Sequence, residues 1–561
     1  MRGGEFTFKI EAGRSLPLIL PDSDGMSLTD ARTLGAGAEI VADLCIVGGG
    51  AAGIALAREF VGGPLRVVLL ESGGLEFARR PQRLYVGENV GVPNYATAHS
   101  RFRVFGGSTT RWPGQCRPLD AIDFEARDWV PFSGWPFDRA HLAPWYRRAQ
   151  AVCHLGTDGF DGAAWLDGAT APPLDGDELE PVVFQFAHPT DFGRAYRGEL
   201  EAAANVEILL NANAVEIEPD PGLRAVRAVA VRTFSGGAFW VRAAAVVLAC
   251  GGIENARLLL ASNRHTPAGL GNGHDLVGRF FMDHPYLTTG YLVPADPALA
   301  RGLHVIDSFK RVGWEQRAHL GYALAEGVQR QERLNGCVAY FIRRLHSETA
   351  PEYFSPGGKS FAHLRDFLTD KVPDKQIGRH LKNLARGYRE VGITLARRTA
   401  DLVRPRRCLA LRIIPEATPR PDSRVTLSDQ RDELGTPRVR VDWRLNPDDR
   451  RGLDRLRAAL QAVVRDRGLG TLIDDPSNDE TGWPTSMMGG KHHIGTTRMH
   501  VDRTQGVVDS DCRVHGLANL YVAGSSVFPT SGYANPTLTI VALALRLADH
   551  LKAHLGRPDQ G

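Results

Sequence analysis

Ala42 to Val47 is a short apolar run that ends in three glycines, the pattern of a strand buried on both faces. Ala51 to Phe60 predicts a helix whose small residues allow close packing on a sheet, and Leu65 to Leu70 predicts the next parallel strand. The three make one βαβ unit. Between Val104 and Asp123 the pattern gives way to loop, after which WPFDRAHLAPWYRRAQAVCHLG reads as a turn leading into an amphipathic helix. Sheet signal returns in VEILLNANAVEIEP, AVRAVAVRTF and FWVRAAAVVLACGG, which alternate or run apolar with turn residues between them. Gly251 and Gly252 end it, and ENARLLLAS begins a helix.

From about Thr288 to Asn478 the loops lengthen around strand-like pieces such as CLALRII, SRVTLSD and PRVRVDW and a helix around DDRRGLDRLRAALQAVVRD, as a substrate-facing region would. Within it, residues 379–407 are distinctly basic and partly helical in period. A solvated helical insertion is expected there rather than a membrane-lying helix, because Gly387 and Gly392 weaken the helix. The stretch from His492 to Leu547 places a histidine and an asparagine, His492 and Asn535, in polar turns on either side of a buried strand. A helix apolar almost all round from Leu538 to Leu547 follows.

At 561 residues the chain suggests two to four domains by the rule of about 150 residues each. Lys plus Arg exceeds Asp plus Glu by only three and the aromatics form no basic stripe, so nucleic acid is not an expected partner. The seven cysteines are far apart and contain no C-x-x-C pair, which favours free thiols in a reducing, cytoplasmic compartment and argues against zinc. His154, His188 and His304 lack the spacing of a metal site, and none is expected. Residues 1–37 read as an irregular lead-in, and no segment holds eighteen uncharged apolar residues. A soluble, unexported protein without membrane association is expected.

Gly48, Gly50 and Gly53 form G-x-G-x-x-G between the first strand and its helix, so a dinucleotide pyrophosphate is expected at that helix N-terminus, beside Ala51 and Ala52. Glu71, followed by Ser72, ends the second strand, where its carboxylate can accept from a ribose hydroxyl and repel a 2′-phosphate. The fingerprint does not separate FAD from NAD.

The GGGAAG fingerprint, the FGGSTTRW loop, the ACGGIENARLLLAS turn and nearly everything from His492 to Leu551 resemble the glucose–methanol–choline (GMC) oxidoreductases, a flavin family. The likeness is weak between about Thr288 and Thr481. It implies FAD, and it places His492 opposite the flavin, since Gly495, Thr496, Arg498 and Met499 fall into the register of H-x-x-G-T-x-R-M. His493 is then the neighbour, and Asn535 takes the second site position of the His–Asn members. The resemblance also implies flavin contacts from Gly106, Gly107, Ser108 and Thr109, adenine and ribose contacts from Val215 and Gly251, and ribityl or pyrophosphate contacts from Asp509, Ala523, Gly524 and Ser525. The helix N-terminus around Pro536, Thr537 and Leu538 would point free N–H groups at the flavin N1 and C2 carbonyl. Some members carry a covalently linking histidine where this chain has Arg111, so FAD is expected to be non-covalent.

The expected fold is α/β, with a Rossmann-like FAD domain (38–120, 196–290 and 482–556) interleaved with an α+β substrate domain (121–195 and 291–481). The expected reaction is hydride transfer from a primary or secondary alcohol, preferably of a sugar or glycoside, to flavin N5. A neutral imidazole at His492 can take the hydroxyl proton while the Asn535 amide donates to the oxygen. Electrons would pass to O2 or to a quinone or cytochrome, with a lean to dehydrogenase. Each residue also has a structural reading: a histidine in a Gly-Thr turn can satisfy backbone groups, and Asn535 before Pro536 makes a good helix N-cap. A hydroxynitrile-lyase-like enzyme and a non-catalytic nucleotide-binding protein therefore remain alternatives. Asp283, His284 and Glu416 are expected to be structural turn residues outside the catalytic pair.

Overall fold

The computed structural model describes residues 28–556 apart from 93–95, 157–158, 162–173, 175, 188–190, 297–305, 312–313, 346–354, 359, 362–363, 365–376, 404–406, 476–482 and 484–486. Most of the lead-in, His188 and His304 therefore lie outside the described residues.

Among the described residues, one sheet has eight strands. In spatial order they are Leu28–Asp30, Val206–Leu210, Val67–Leu70, Glu39–Val47, Ala238–Leu248, Val226–Arg232 and Asn213–Pro219, with Leu520–Val522 pairing Ala238–Leu248. The strands from Leu28–Asp30 to Ala238–Leu248, and Leu520–Val522, are parallel, while the last two are antiparallel. Leu44, Cys45 and Ile46 and all of Val67–Leu70 are buried, as parallel strands covered on both faces require. Register brings four strand ends level: Val47 pairs with Leu70 and Leu248, and Leu248 with Val522. The residues that follow, Gly48, Glu71, Ala249 and Ala523, thus stand at one carboxyl edge, where open α/β sheets hold ligands. The helix Ala51–Arg58 packs against the C-terminal helix Thr537–Leu555 over this sheet.

The second sheet has nine strands in the order Gly470–Asp474, Pro285–Pro294, Arg407–Pro415, Cys337–Leu345, Trp314–Leu324, Leu179–Phe186 and Gln115–Cys116, with Ile306–Arg311 and Met488–Gly489 paired at its side. Its pairings are antiparallel. A Rossmann-like sheet beside a sheet drawn from the intervening segments is the bilobed α/β architecture expected from the sequence.

Four pieces cross the expected boundaries. Residues 285–290, expected in the cofactor domain, belong to the strand Pro285–Pro294, which hydrogen-bonds into the second sheet, and so does Gln115–Cys116. Leu28–Asp30, expected in the lead-in, extends the first sheet. The helix Arg139–Val152, expected in the substrate domain, lies on the C-terminal helix, where Tyr146 Oη meets Thr539 Oγ1 at 2.8 Å and Trp145 Nε1 donates to Asp549 at 2.8 Å. In each case backbone pairing or apolar burial outranked proximity in sequence.

The basic segment forms two helices, Ile377–Arg386 and Tyr388–Val403, separated at Gly387. Ile377, Leu381, Tyr388 and Leu395 are exposed on them. Among the described residues no helix is long and apolar enough to cross a membrane, no cysteine is disulfide-bonded, and no cluster of His, Cys, Asp or Glu is arranged to hold a metal ion.

Candidate active site

A cavity of about 590 Å³ opens at the carboxyl edge of the first sheet and reaches the second. Its floor is the glycine turn. Gly48 has φ +113°, and a side chain there would meet the Ala249 carbonyl oxygen at 2.6 Å. A Cβ at Gly53 would lie 1.9 Å from the Gly48 carbonyl oxygen, so only glycine lets the helix sit this close to the turn. Gly50 caps the helix without any side-chain bond, which leaves its first N–H groups facing the cavity. The Gly107 Cα side approaches Gly50 so closely that a Cβ would stand 2.9 Å from the Gly50 Cα, and Gly106 N donates to the Gly49 carbonyl at 2.8 Å. The loop 106–110 is thereby fastened across the fingerprint.

Glu71 is buried and its two carboxylate oxygens accept from Gly49 N at 3.0 Å and Gly73 N at 2.6 Å. Burial raises its pKa, and those two bonds and Arg103 oppose the rise. Further along the wall, Glu254 accepts from Arg101 at 2.8 Å, Arg103 at 2.7 Å and Arg257 at 3.1 Å, while Arg257 also pairs with Asp432 at 2.6 Å. Both Arg101 and Arg103 lie over the Tyr85 ring, at 4.2 and 4.3 Å from its centroid. Nε and Nη1 of Arg101 are buried without a hydrogen-bond partner among the described residues.

At the other end, the stretch from His493 to Met499 runs beside residues 525–527: Ser525 Oγ donates to the His493 carbonyl at 2.7 Å, Thr497 N to Ser526 at 2.8 Å and Met499 N to Val527 at 2.8 Å. Gly252 fits under it because a Cβ there would be 2.1 Å from the His493 carbonyl oxygen. His492 projects toward the N-terminus of the C-terminal helix, where Asn535 Nδ2 stands 3.4 Å from His492 Nε2. The backbone N–H of His492 is held by Asp283 Oδ1 at 2.8 Å. On its far side His492 Nδ1 lies 2.9 Å from Nδ1 of His284.

Burial is the first cause that lowers the His492 pKa well below 6.5, and His284 and His493 add to it. Burial also brings His284 down to about 4 and His493 to about 3. All three imidazoles are therefore neutral at pH 7. Tyr286, whose hydroxyl interacts with Asn535, is raised above its ordinary value by burial first. Its ring centroid is 6.0 Å from that of His492.

Of the residues expected from the sequence, His492 and Asn535 meet, and Gly48, Gly50, Ala51, Ala52, Glu71, Ser72, Gly107, Ser108, Thr109, Val215, Gly251, Ala523, Gly524, Ser525, Pro536 and Thr537 line the same cavity. Gly53 and Gly106 do not line it but shape its floor, and Asp509 instead closes a turn by accepting from Asp511 N and Arg513 N at 2.9 Å each. Glu416 does not line the cavity and is fully buried on Arg127 at 2.6 Å. His284 is not merely a turn residue, since its ring contacts His492 directly. Residues not anticipated are Arg101, Arg103, Glu254 and Arg257 at one end and Gln115, Tyr286, Thr288 and Arg412 at the other. A period-2 reading of a strand after Pro285 would have put Tyr286 and Thr288 on one face with His284.

The donors and shape suit FAD. Two helix N-termini without side-chain caps, at Gly50 and Pro536, open into one cavity, as a diphosphate and an electron-rich ring edge require. The buried Asn535 Oδ1 also has no partner among the described residues.

Comparison with known proteins agrees. The FAD dependent oxidoreductase family matches residues 43–405, and the GMC oxidoreductase family matches residues 419–544. The chain is 27% identical to 6'''-hydroxyparomomycin C oxidase of Streptomyces lividus, over 92% of each chain. It is 29% identical to the fructose dehydrogenase large subunit of Gluconobacter japonicus over 54% of this chain and 46% of that one. A crystal structure of formate oxidase shares the fold, with a TM-score of 0.53 and 16% identity over 93% of this chain and 99% of that chain.

Proposed function

Since the chain belongs to the GMC oxidoreductase superfamily of FAD-dependent oxidoreductases, we propose that it is of the His–Asn type and oxidises an alcohol carbon of a sugar or glycoside to the carbonyl. The observation that carries this reading is the meeting of His492 Nε2 with the Asn535 amide at 3.4 Å on the cavity wall. That separation is long for a hydrogen bond, and a substrate hydroxyl oxygen can satisfy both groups at once.

His492, kept neutral by burial, accepts the hydroxyl proton at Nε2. Asn535 Nδ2 donates to the same oxygen and holds it while negative charge develops there. Bound FAD supplies the acceptor for the hydride that leaves the carbon. Its diphosphate would be held at the Gly48–Ala52 turn, its ribose by Glu71, and its ring edge by Gly107–Thr109 and the backbone of Pro536 and Thr537. With Arg111 in the loop, where no histidine offers a nucleophile, FAD is non-covalent.

The substrate end of the cavity supports a polyhydroxylated ligand. Thr288 and Arg412 are paired across neighbouring strands, Arg412 also bonds the Tyr340 hydroxyl, and Gln115 and Tyr286 complete a wall rich in donors. Relatives carry both oxidase and dehydrogenase names, so O2 and a quinone or cytochrome are both candidate acceptors. The test is an anaerobic panel of sugars, glycosides and simple alcohols added to FAD-loaded protein. Bleaching of the yellow flavin by sugars, lost in His492→Gln, is expected. A cofactor that stays oxidised with every alcohol sinks the reading and favours a lyase or a non-catalytic binder.

A further inference from the structure

We propose that His284 is the positioning residue for the base: it holds the single proton of His492 on Nδ1, so that Nε2 presents a bare lone pair to the substrate hydroxyl. The inference rests on the reading of His492 as the base.

It follows from counting donors. The His284 ring is fully buried, with Nδ1 2.9 Å from His492 Nδ1 and Nε2 2.8 Å from the Gly532 carbonyl oxygen, and the Ser531 backbone is a further partner of the ring. A carbonyl oxygen only accepts, so the hydrogen on that side belongs to His284 Nε2. A neutral imidazole has one N–H, which makes His284 Nδ1 an acceptor. The proton between the two Nδ1 atoms must then be carried by His492, and its Nε2 is left unprotonated toward Asn535 Nδ2. The opposite assignment would set the lone pairs of His284 Nε2 and the Gly532 oxygen against each other at 2.8 Å. A doubly protonated His284 is excluded near pH 7, since burial takes its pKa to about 4.

The same pair also fixes where the base stands. Asp283 accepts from the backbone of His492 at 2.8 Å and of Lys491 at 3.2 Å, while the next residue grips the ring, so adjacent side chains hold His492 at both ends. Gly532 sits in the loop that leads to Asn535. That loop is pinned by Trp135 Nε1 on Thr530 at 2.9 Å, by the Ala417 backbone on Ser531 at 3.1 Å, and by the Tyr533 hydroxyl on Asp120. Base and orienting amide are thus referenced to one rigid segment. When His492 takes up the substrate proton, its Nδ1–H bond to His284 becomes charge-assisted and shorter, while His284 stays neutral.

The test is nitrogen-15 NMR of FAD-loaded protein labelled only at histidine, with the His492 signals assigned by their loss in His492→Gln. A protonated Nδ1 and an unprotonated Nε2 are expected in the native protein. In His284→Phe the proton should move toward Nε2, and the rate of flavin reduction should fall about ten- to a hundredfold with KM nearly unchanged. His284→Gln, whose amide can accept from His492 and donate to Gly532, should restore both tautomer and rate. A native His492 protonated on Nε2, or a His284→Phe tautomer identical to native, overturns the proposal. If His284→Phe does not fold, the native spectrum and His284→Gln decide. The expected tautomer in a protein whose flavin no alcohol bleaches would refute the proposed reaction and leave the relay standing.

Discussion

Glu254→Gln is the sharpest probe of the cofactor end. Its carboxylate is almost completely buried, and burial alone would raise its pKa, yet Arg257, Arg101 and Arg103 outweigh that and bring it from 4.5 to about 2. The difference is worth about 3 kcal/mol of stability at pH 7. Because the folded pKa is depressed, this contribution is complete above pH 4.5 and is lost as pH falls through about 2. Glutamine keeps the shape and removes the charge, leaving three buried guanidiniums facing one carboxylate, Asp432. In urea titrations of the FAD-free protein at pH 7, followed by circular dichroism, the midpoint should drop by about 1 M for a slope of about 3 kcal/mol per M. At pH 3 about half of the gap should remain. Asp432→Asn should also destabilise, and the double variant should lose more than the sum, since either carboxylate alone still partners Arg257 and the loss of both leaves that buried guanidinium without one. A Glu254→Gln midpoint equal to that of the native protein, at either pH, would refute the assignment of net attraction to this cluster.

Three further outcomes are expected. Gly53→Ala forces a methyl to within 1.9 Å of the Gly48 carbonyl, so the helix must back away and the purified protein should carry little FAD by its absorbance ratio while retaining native circular dichroism. The rate of flavin reduction should be flat from pH 8 to 6.5 and fall only at lower pH, because the His492 pKa lies well below 6.5 and its neutral form is the active one; an acid limb centred at or above 6.5 would contradict its burial. Acid precipitation of the native protein should release all of the yellow colour into the supernatant, whereas flavin retained in the pellet would refute the proposed non-covalent binding.

The two ends of the cavity differed in how far the sequence exposed them. The fingerprint was legible because its constraints are local: Gly48 and Gly53 are demanded by backbone atoms within a few residues or on the adjoining strand, and the strand that precedes them and the acid at Glu71 follow a fixed order. His492 and Asn535 were legible chiefly through family likeness, since in the sequence each also has an adequate structural reading as a turn residue or a helix cap; in the structure Pro536 takes the N-cap position and no side chain caps that helix. The substrate end was not legible, and strand register is the reason. His284 reaches His492 across 208 positions, and Arg412 reaches Thr288 because Pro285–Pro294 and Arg407–Pro415 pair with one particular offset. A shift of that register by one residue would turn Arg412 and Thr288 to opposite faces of the sheet. The bulge between Thr288 and Gly290, which no local pattern announces, is part of what sets it. The same holds for the arginine cluster, where Glu254 and Arg257 share a helix face at i and i+3 but meet Arg101, Arg103 and Asp432 only through the fold. The glycine turn thus depends on contacts that a short peptide already specifies, whereas the rest of the cavity wall depends on how distant strands and loops align. Relatives with similar fingerprints can therefore act on different alcohols without altering the half of the cavity that holds FAD.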